Sequence, residues 1–330
     1  MPLQQHLKLA VKAVSNIHRP GGKRDIFLFA TPRGGSTWLM EIIASQPGIK
    51  FFDEPLSPRR GNVAYSGLFP DYAALMPETD DTDVIIRFLQ DLQAGRRGYM
   101  NPTPFQRNYR VLTHRALFKI HEVEHLMHQI EQHCNASIVY LLRHPIATSI
   151  SRHTLPRLDL FLRSPYYGEL LGTTAVLADV RMLASNGSPL QKAVVSWCYE
   201  NLIALSQPGK NWLFVTYEEL VLNPAKSCEL LLSRLDLPDR QAMMGTFERP
   251  AANITMSHAQ TLEAMRSPDA LKRRHMLVTK WMNQVSEQEI ADASQVLTTF
   301  GIDAYSVYTA LAAPRYLHFD DTVSLLSAQQ

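Results

Sequence analysis

The sequence has few of the residues that build disulfide frameworks or zinc sites. It contains three cysteines in 330 residues, and no two of them form a CxxC pair. Neither a disulfide scaffold nor a zinc site is therefore predicted, and the sequence shows no cluster of metal-ligand residues. Widely spaced cysteines in odd number are typical of a reducing compartment, so a cytoplasmic location is expected.

Long apolar runs and an excess of one charge are also missing. No run of about 20 apolar residues occurs, the length that would cross a bilayer, and the N-terminus has no secretory apolar core. The net charge is +2, which gives no field that would attract nucleic acid. We therefore expect neither a nucleic-acid partner nor an integral membrane segment.

What the sequence does contain is an alternation of short apolar runs with stretches of helical periodicity. Residues 26–30, 136–142 and 212–217 are typical of buried strands, and helical patterns follow them. This order predicts an α/β fold with three layers, α/β/α, around a central and mostly parallel sheet. In such sheets, ligands bind beyond the carboxyl ends of the strands.

The predicted organisation is one large domain with additions at both ends. Leu3, Leu7, Ala10, Val11 and Val14 fall on one helical face, which favours a helix packed on the domain or on a partner over a membrane-surface helix. The expected limits are an N-terminal helical extension over 1–24, a single domain over 25–305 and a C-terminal tail over 306–330. Two insertions, at about 56–108 and 155–190, are expected to face the substrate, since the first is too long for a plain connector.

A tight loop after the first buried strand has the composition of an anion site. Residues 31–37 are Thr-Pro-Arg-Gly-Gly-Ser-Thr, and a helix is expected to begin at the end of this stretch. Gly34 and Gly35 let backbone N–H groups face a ligand, and the helix N-terminus adds unpaired donors. Arg33 brings a planar cation suited to phosphate or sulfate. An ordinary Gly-Gly turn is the alternative.

A second candidate anion site follows the buried strand at 136–142. Arg143 stands where this strand stops, and Ser151 lies eight positions further on. A helix is expected from about Pro145, so that Ser151 would lie two helical turns along it and clamp one phosphate together with Arg143. A solvent-exposed Arg and a surface Ser are the alternative, and the neighbouring Arg152 is expected to be exposed.

Both stretches resemble the PAPS-dependent sulfotransferases, where PAPS is 3′-phosphoadenosine-5′-phosphosulfate. The first loop is similar to the family's 5′-phosphosulfate loop, and Arg143 with Ser151 matches the family's signature for the 3′-phosphate. The sequence Tyr-Glu-Glu-Leu from residue 217 resembles the stretch whose Tyr reaches the nucleotide. The resemblance extends over residues 25–300 and implies a P-loop-like core that binds PAPS.

The resemblance also implies which residues bind the cosubstrate. They are Arg33, Gly34, Gly35, Ser36, Thr37, Trp38, Arg143, Ser151 and Tyr217. Trp38 and Tyr217 are the candidates for contact with adenine, and core packing is their alternative.

A weaker C-terminal segment, Lys272-Arg273-Arg274 followed by Lys280-Trp281, resembles the family's basic group for the 3′-phosphate. The family's Gly before this Trp is absent here. Which of Lys272, Arg273 and Arg274 binds the phosphate is left open, and a solvated basic face is an equal alternative.

The implied reaction is the in-line transfer of a sulfuryl group from PAPS to a hydroxyl or amine acceptor, the EC 2.8.2 type. Such transfer depends on positioning and on stabilisation of charge. Arg33 and the N–H groups of Gly35, Ser36 and Thr37 would stabilise charge on the leaving 5′-phosphate, and PAP would be the product. No metal is implied. The acceptor is expected to be a small molecule, a lipid or a glycan, and a homodimer is left open.

The general base has two candidates. His114 follows Thr113 at a predicted strand end and resembles the His of the family's Lys-Thr-His, although Leu112 replaces the Lys. The missing cationic contact would then come from elsewhere, for example from Lys119. An imidazole suits base catalysis near neutral pH. Glu54 is the rival, because several relatives have a functional Glu after the second strand. A structural role is the alternative for both.

Two other functions stay open at this point. A P-loop nucleotide kinase is disfavoured because no Lys precedes Ser36, where an ATP-binding loop requires Gly-Lys-Ser/Thr. The alternative that the protein binds PAPS or PAP but has altered catalysis is favoured by Leu112, which stands in place of the family's Lys.

Overall fold

Parallel strands form the centre of the protein. The computed structural model describes residues 15–60, 67–79, 81–99, 106–251 and 269–322, together with Leu7, Ala10 and Val11. Its strands are β1 (Ile17–His18), β2 (Asp25–Ala30), β3 (Ile49–Asp53), β4 (Leu112–Thr113), β5 (Arg115–Ile120), β6 (Ala136–Leu142) and β7 (Leu213–Thr216). Five of them form one sheet in the order β3-β5-β2-β6-β7, in which every neighbouring pair is parallel. The predicted α/β fold with a parallel sheet is confirmed.

Helices connect the strands and cover the sheet. In chain order they are α1 (Ser36–Ala44), α2 (Thr82–Gln93), α3 (Met127–His133), α4 (Pro145–Ser149), α5 (Leu158–Arg163), α6 (Pro165–Leu171), α7 (Thr174–Asn186), α8 (Pro189–Ser206), α9 (Tyr217–Leu222), α10 (Pro224–Leu235), α11 (Arg240–Phe247), α12 (Ala270–Thr279) and α13 (Glu287–Thr299). Short 3₁₀ helices lie at Pro58–Arg60, Ala73–Leu75, Glu124–Leu126, Lys280–Gln284 and Pro314–Tyr316.

The side chains of β2 divide the core into two layers, because successive residues of a strand point to opposite faces. Ile26 and Leu28 pack with residues of α1, α10 and α11 on one face. Phe27 and Phe29 pack with residues of α2, α3 and α8 on the other face. Burial on both faces explains why the central strands are almost continuously apolar.

The chain between β3 and β6 differs from the sequence prediction. The pattern of residues 109–114 predicts one strand there, whereas the structure has the short β4 and then the six-residue β5 from Arg115. β5 is hard to recognise because it contains two buried cations. Arg115 donates a 2.6 Å hydrogen bond to the carbonyl of Leu235, and Lys119 pairs with Asp53.

The two ends of the chain are attached to the domain in different ways. Before Asn16, the described positions 7, 10, 11 and 15 are helical, while Leu3 and Val14 of the predicted apolar face lie outside the described residues. β1 then pairs with β4, so the predicted helical extension also contains a strand. Within the described ranges, no helix has the length and apolar character needed to cross a membrane.

The C-terminal segment packs against the helix that follows β7. The buried carboxylate of Glu219 on α9 accepts hydrogen bonds from the N–H groups of His318 (2.8 Å) and Phe319 (3.0 Å) and from the hydroxyl of Thr322 (3.1 Å). The expected tail over 306–330 is therefore fixed to α9 as far as residue 322.

Candidate active site

A cavity of about 990 Å³ opens at the carboxyl edge of the central sheet. The residues that follow β2, β3, β5, β6 and β7 all contribute to its wall, among them Arg33, Glu54, His121, Arg143 and Tyr217. The ends of these strands thus converge on one cavity, at the edge of the sheet where ligands are expected to bind.

The loop after β2 turns tightly before α1 begins. The N–H of Gly34 donates to the carbonyl of Thr31 at 2.9 Å, and Arg33 and Gly35 both have positive φ angles, 71° and 97°. The first helical hydrogen bond is the one from Trp38 N–H to Gly35 O, at 3.0 Å. The N–H groups of Gly35, Ser36 and Thr37 precede it, so they are available to an anion in the cavity.

Arg143 and Tyr217 form a stack beside this loop. The guanidinium carbon of Arg143 lies 4.1 Å from the ring centroid of Tyr217, and its Nη1 donates to the carbonyl of Arg33 at 3.0 Å. A Cβ atom on Gly35 would come within 2.6 Å of the Tyr217 ring, so the loop and the stack fit closely. The buried Nε of Arg143 has no hydrogen-bond partner among the described residues, which suits a donor to a bound ligand.

Ser151 and Trp38 also line the cavity, but Ser151 does not lie on a helix as the sequence predicts. Helix α4 ends at Ser149, so Ser151 lies in the following turn, where its hydroxyl donates to the carbonyl of Thr148 at 2.7 Å. The indole N–H of Trp38 donates to the carbonyl of Arg249 at 3.1 Å, and its ring meets Tyr217 edge-on.

Only part of the basic segment on α12 lines the cavity. Arg273 and Arg274 line the cavity, as does Lys280, whereas Lys272 is exposed and is not one of the lining residues. Burial, and then the nearby Arg143, lower the pKa of Lys280. Burial, and then Arg273, lower the pKa of Arg274. The cations therefore already repel one another, and a bound anion would relieve this repulsion.

His114 is far from the residues expected to act with it. It precedes the first residue of β5, at the amino edge of the sheet, and its N–H donates to the carbonyl of Gly48 at 2.8 Å. Its ring packs so closely on Gly48 that a Cβ atom there would lie 1.8 Å from Cε1. His114 does not line the cavity. This position argues against His114 as the base and favours a role in packing.

A family model for the sulfotransferase domain matches residues 23–299, most of the chain. The chain belongs to the sulfotransferase family. Among curated proteins, none matches this sulfotransferase in sequence.

Solved structures with a similar fold include three sulfotransferases. Mouse sulfotransferase SULT7A1, complexed with PAP, is 16% identical, with 98% of this chain and 94% of that chain covered and a TM-score of 0.44. The sulfotransferase domain from the curacin biosynthetic pathway is 16% identical (85% and 98% covered, TM-score 0.41). The sulfotransferase domain from the Synechococcus PCC 7002 olefin synthase is 17% identical (88% and 98% covered, TM-score 0.41).

The sulfotransferase has another histidine, His121, at the carboxyl end of β5. Its Nδ1 lies 2.6 Å from the carbonyl of Ala30, so Nδ1 carries the proton and Nε2 points toward Ser36 Oγ and Glu54 Oε1, each at 3.3 Å. Lys119 on the same strand is buried and contacts Glu54 (2.9 Å) and Thr37 Oγ1 (3.1 Å). His121 is not among the site residues predicted from the sequence, although Lys119-Ile120-His121 has the family's Lys-x-His spacing.

Polar side chains form the wall on the β3 and β5 side of the cavity. Arg59 donates to Thr154 Oγ1 at 2.9 Å, and its guanidinium carbon lies 5.8 Å from the ring centroid of Tyr72. The carboxyl of Glu122 accepts from the N–H of His121 at 3.2 Å. Burial raises the pKa of Glu122.

Arg152, expected to be exposed, has a buried side chain that donates two hydrogen bonds to Glu200. In the described part of the chain, no three His, Cys, Asp or Glu side chains are grouped so as to hold a metal ion.

Proposed function

We propose that this sulfotransferase transfers the sulfuryl group of PAPS to a hydroxyl or amine acceptor. The observation that supports the proposal most is that two candidate anion sites lie in the wall of one cavity. The loop at Arg33 and Gly35 is one, and Arg143 with the α12 cations is the other. A nucleotide with a phosphosulfate at one end and a separate phosphate on its ribose needs this arrangement.

The residues present fit such a nucleotide. The N–H groups of Gly35, Ser36 and Thr37 would hold the phosphosulfate together with Arg33. The unpaired Nε of Arg143 would donate to the 3′-phosphate, with Arg273 or Arg274 beside it. When bound, PAPS would supply an electron-poor sulfuryl group to a positioned acceptor. The cavity volume of about 990 Å³ is ample for a nucleotide and an acceptor together.

We propose that His121 and Glu54 replace His114 as the source of the base. The bond from His121 Nδ1–H to Ala30 leaves Nε2 without a proton, so that Nε2 can take the acceptor's proton. Glu54, 3.3 Å from Nε2, would stabilise the imidazolium that forms. Lys119 would hold Glu54 and the hydroxyl of Thr37 in place. Glu54 also has a positive φ of 53°, the kind of backbone strain that is often found at functional sites.

The other two functions lose their support. Membership of the sulfotransferase family replaces the nucleotide kinase hypothesis. The hypothesis of a non-catalytic PAP-binding protein rested on Leu112, which lies in β4. His121 supplies an imidazole in the cavity wall, and the buried Lys119 supplies a cation that contacts the wall residues Thr37 and Glu54. Buried, unpaired cysteines also support the proposed reducing, cytoplasmic location.

The experiment uses the full chain, sulfur-labelled PAPS and a broad acceptor panel, with PAP binding followed by calorimetry. We expect transfer of label, and in His121→Ala a fall in kcat of about 10²–10⁴ with PAP affinity retained. His133→Ala, an exposed histidine on α3, is the matched control. Tight PAP binding without transfer to any acceptor would reject catalysis. A full rate in His121→Ala would assign the role of general base to Glu54. The rate of Glu54→Gln would then test that assignment.

A further inference from the structure

We infer that the β3 and β5 side of the cavity binds a neutral, hydroxyl-rich acceptor of the sugar class, and that Glu122 selects it. This inference rests on the proposed function, because it names the acceptor for the same site.

The sheet order divides the cavity. The loop after β2 lies at the central strand, and Arg143 and Tyr217 follow β6 and β7 on one side of it. Glu54 and His121 follow β3 and β5 on the other side. If the nucleotide takes the β6 and β7 side, the acceptor is left with the side that carries the base.

Most of the described side chains on the acceptor side are polar, and the adjoining wall also contains the apolar residues Ala147, Ile150 and Pro156. Beyond Glu54 and His121, the cavity wall there includes Ser57, Arg59, Tyr72, Glu122, His153 and Thr154. An apolar acceptor, such as a steroid or an alkyl alcohol, would remove these groups from water without offering hydrogen bonds, which is costly. The wall therefore favours an acceptor with many donors and acceptors of its own.

The charges on this side disfavour an anionic acceptor. Glu54 and Glu122 flank His121. Lys119 offsets the charge of Glu54, but a negative group next to the base would still meet the carboxyl of Glu122. Arg59 already bonds Thr154 and lies over Tyr72. Arg152 also lines the cavity, but its guanidinium is held by Glu200. A neutral polyol satisfies the wall without adding charge.

Glu122 is the residue best placed to recognise the acceptor by hydrogen bonds to its hydroxyl groups. It is buried, it lines the cavity next to the base, and among the described residues its carboxyl accepts one hydrogen bond, from His121 N–H. A carboxyl has acceptor capacity for more than one donor, so it can bind a second hydroxyl of the acceptor while the first reacts. Tyr72, which also lines the cavity, adds apolar ring surface for the C–H groups of a sugar.

The test measures kcat/KM with labelled PAPS for maltose and N-acetylglucosamine, against 4-nitrophenol, 1-octanol and glucuronate. We expect the neutral sugars to exceed every other probe at least tenfold. Glu122→Gln should lower kcat/KM for the sugars about tenfold, with KM for PAPS and PAP affinity unchanged. Glu169→Gln, an exposed carboxyl on α6, is the matched control.

Three outcomes would overturn the inference. Preference for 4-nitrophenol, 1-octanol or glucuronate would reject the sugar class and leave the sulfotransferase function intact. An unchanged sugar rate in Glu122→Gln, or an equal fall for all probes, would reject the selecting role of Glu122. Absence of transfer to any probe or to the broader panel, with PAP still bound, would reject the proposed function itself.

Discussion

Arg152 donates two hydrogen bonds of 2.8 Å to the carboxylate of Glu200, and their side chains are 3% and 1% exposed. The pair joins the turn after α4, which carries Ser151 and His153, to the centre of α8. Arg157 lies 3.7 Å from the same carboxylate and pairs with Glu124. A buried network thus supports the turn that contributes to both sides of the cavity.

We expect Glu200→Gln to lower the free energy of unfolding by about 3–5 kcal/mol, because it leaves the buried guanidinium of Arg152 without its carboxylate partner. Chemical denaturation at neutral pH measures the change. Asp321→Asn, which breaks an exposed pair with Lys226, is the control and should cost at most about 1 kcal/mol. Similar small losses in both variants would contradict the prediction.

Gly35→Ala should weaken PAP binding about tenfold or more, which is ~1.4 kcal/mol. The residue has a φ of 97°, and the added Cβ would lie 2.6 Å from Cδ2 of Tyr217, so the loop or the ring must move. Calorimetric titration with PAP measures the effect. Gly245→Ala, where a Cβ meets nothing within 4 Å, should bind PAP like the parent protein. Parent-like affinity in Gly35→Ala would show that PAP binding does not require the close packing of Gly35 on the Tyr217 ring.

Arg143→Ala should weaken PAP binding by about 1.5–3 kcal/mol, the usual range for a hydrogen bond to a charged group. The same substitution should weaken the binding of adenosine 5′-phosphate, which lacks the 3′-phosphate, much less. The comparison of the two dissociation constants is the measurement, with Arg163→Ala on α5 as a surface control. Equal losses for both nucleotides would assign Arg143 to packing against Tyr217 instead.

His144 makes stability depend on pH. Its ring stacks on Trp281 with centroids 4.1 Å apart, and burial lowers its pKa from 6.5 to about 3. The unfolded chain therefore binds a proton near pH 6.5 that the folded chain does not bind until about pH 3. The contribution of His144 to the free energy of unfolding is therefore complete above pH 6.5. Between pH 6.5 and about pH 3 it falls with decreasing pH, by about 1.4 kcal/mol per pH unit.

Urea denaturation between pH 7 and pH 4.5 tests this prediction. His144→Phe keeps an aromatic ring against Trp281 and removes the titrating group, so its unfolding free energy should fall less steeply with acid. Identical slopes for the two proteins would contradict the assignment.

Motifs at strand ends were predictable because their chemistry is local. The loop around Arg33 and the residues Arg143 and Tyr217 each follow an apolar strand, and a parallel sheet brings such ends to one edge. His121 was missed for a different reason. Its strand contains Lys119 and Arg115, whose burial depends on Asp53 and on the carbonyl of Leu235, and no local pattern reveals partners so distant in sequence.

The same limit explains the error at Arg152. A single Arg after a short helix is normally solvated, and its partner Glu200 lies 48 residues away. His114 shows the converse case, because a histidine after an apparent strand lies at the amino edge once the true strand starts at Arg115.

Hydrogen bonds to Glu219 from His318, Phe319 and Thr322 connect the C-terminal segment to the helix that carries the cavity residue Tyr217. Helix α9 carries Tyr217 at its first position and Glu219 two residues later. Proteolytic trimming back to residue 317 would remove these donors and expose the carboxylate of Glu219 to water, so α9, whose first residue is Tyr217, would lose a contact that fixes it. A protease acting on the last described turn is therefore expected to reduce nucleotide affinity while the central sheet stays intact.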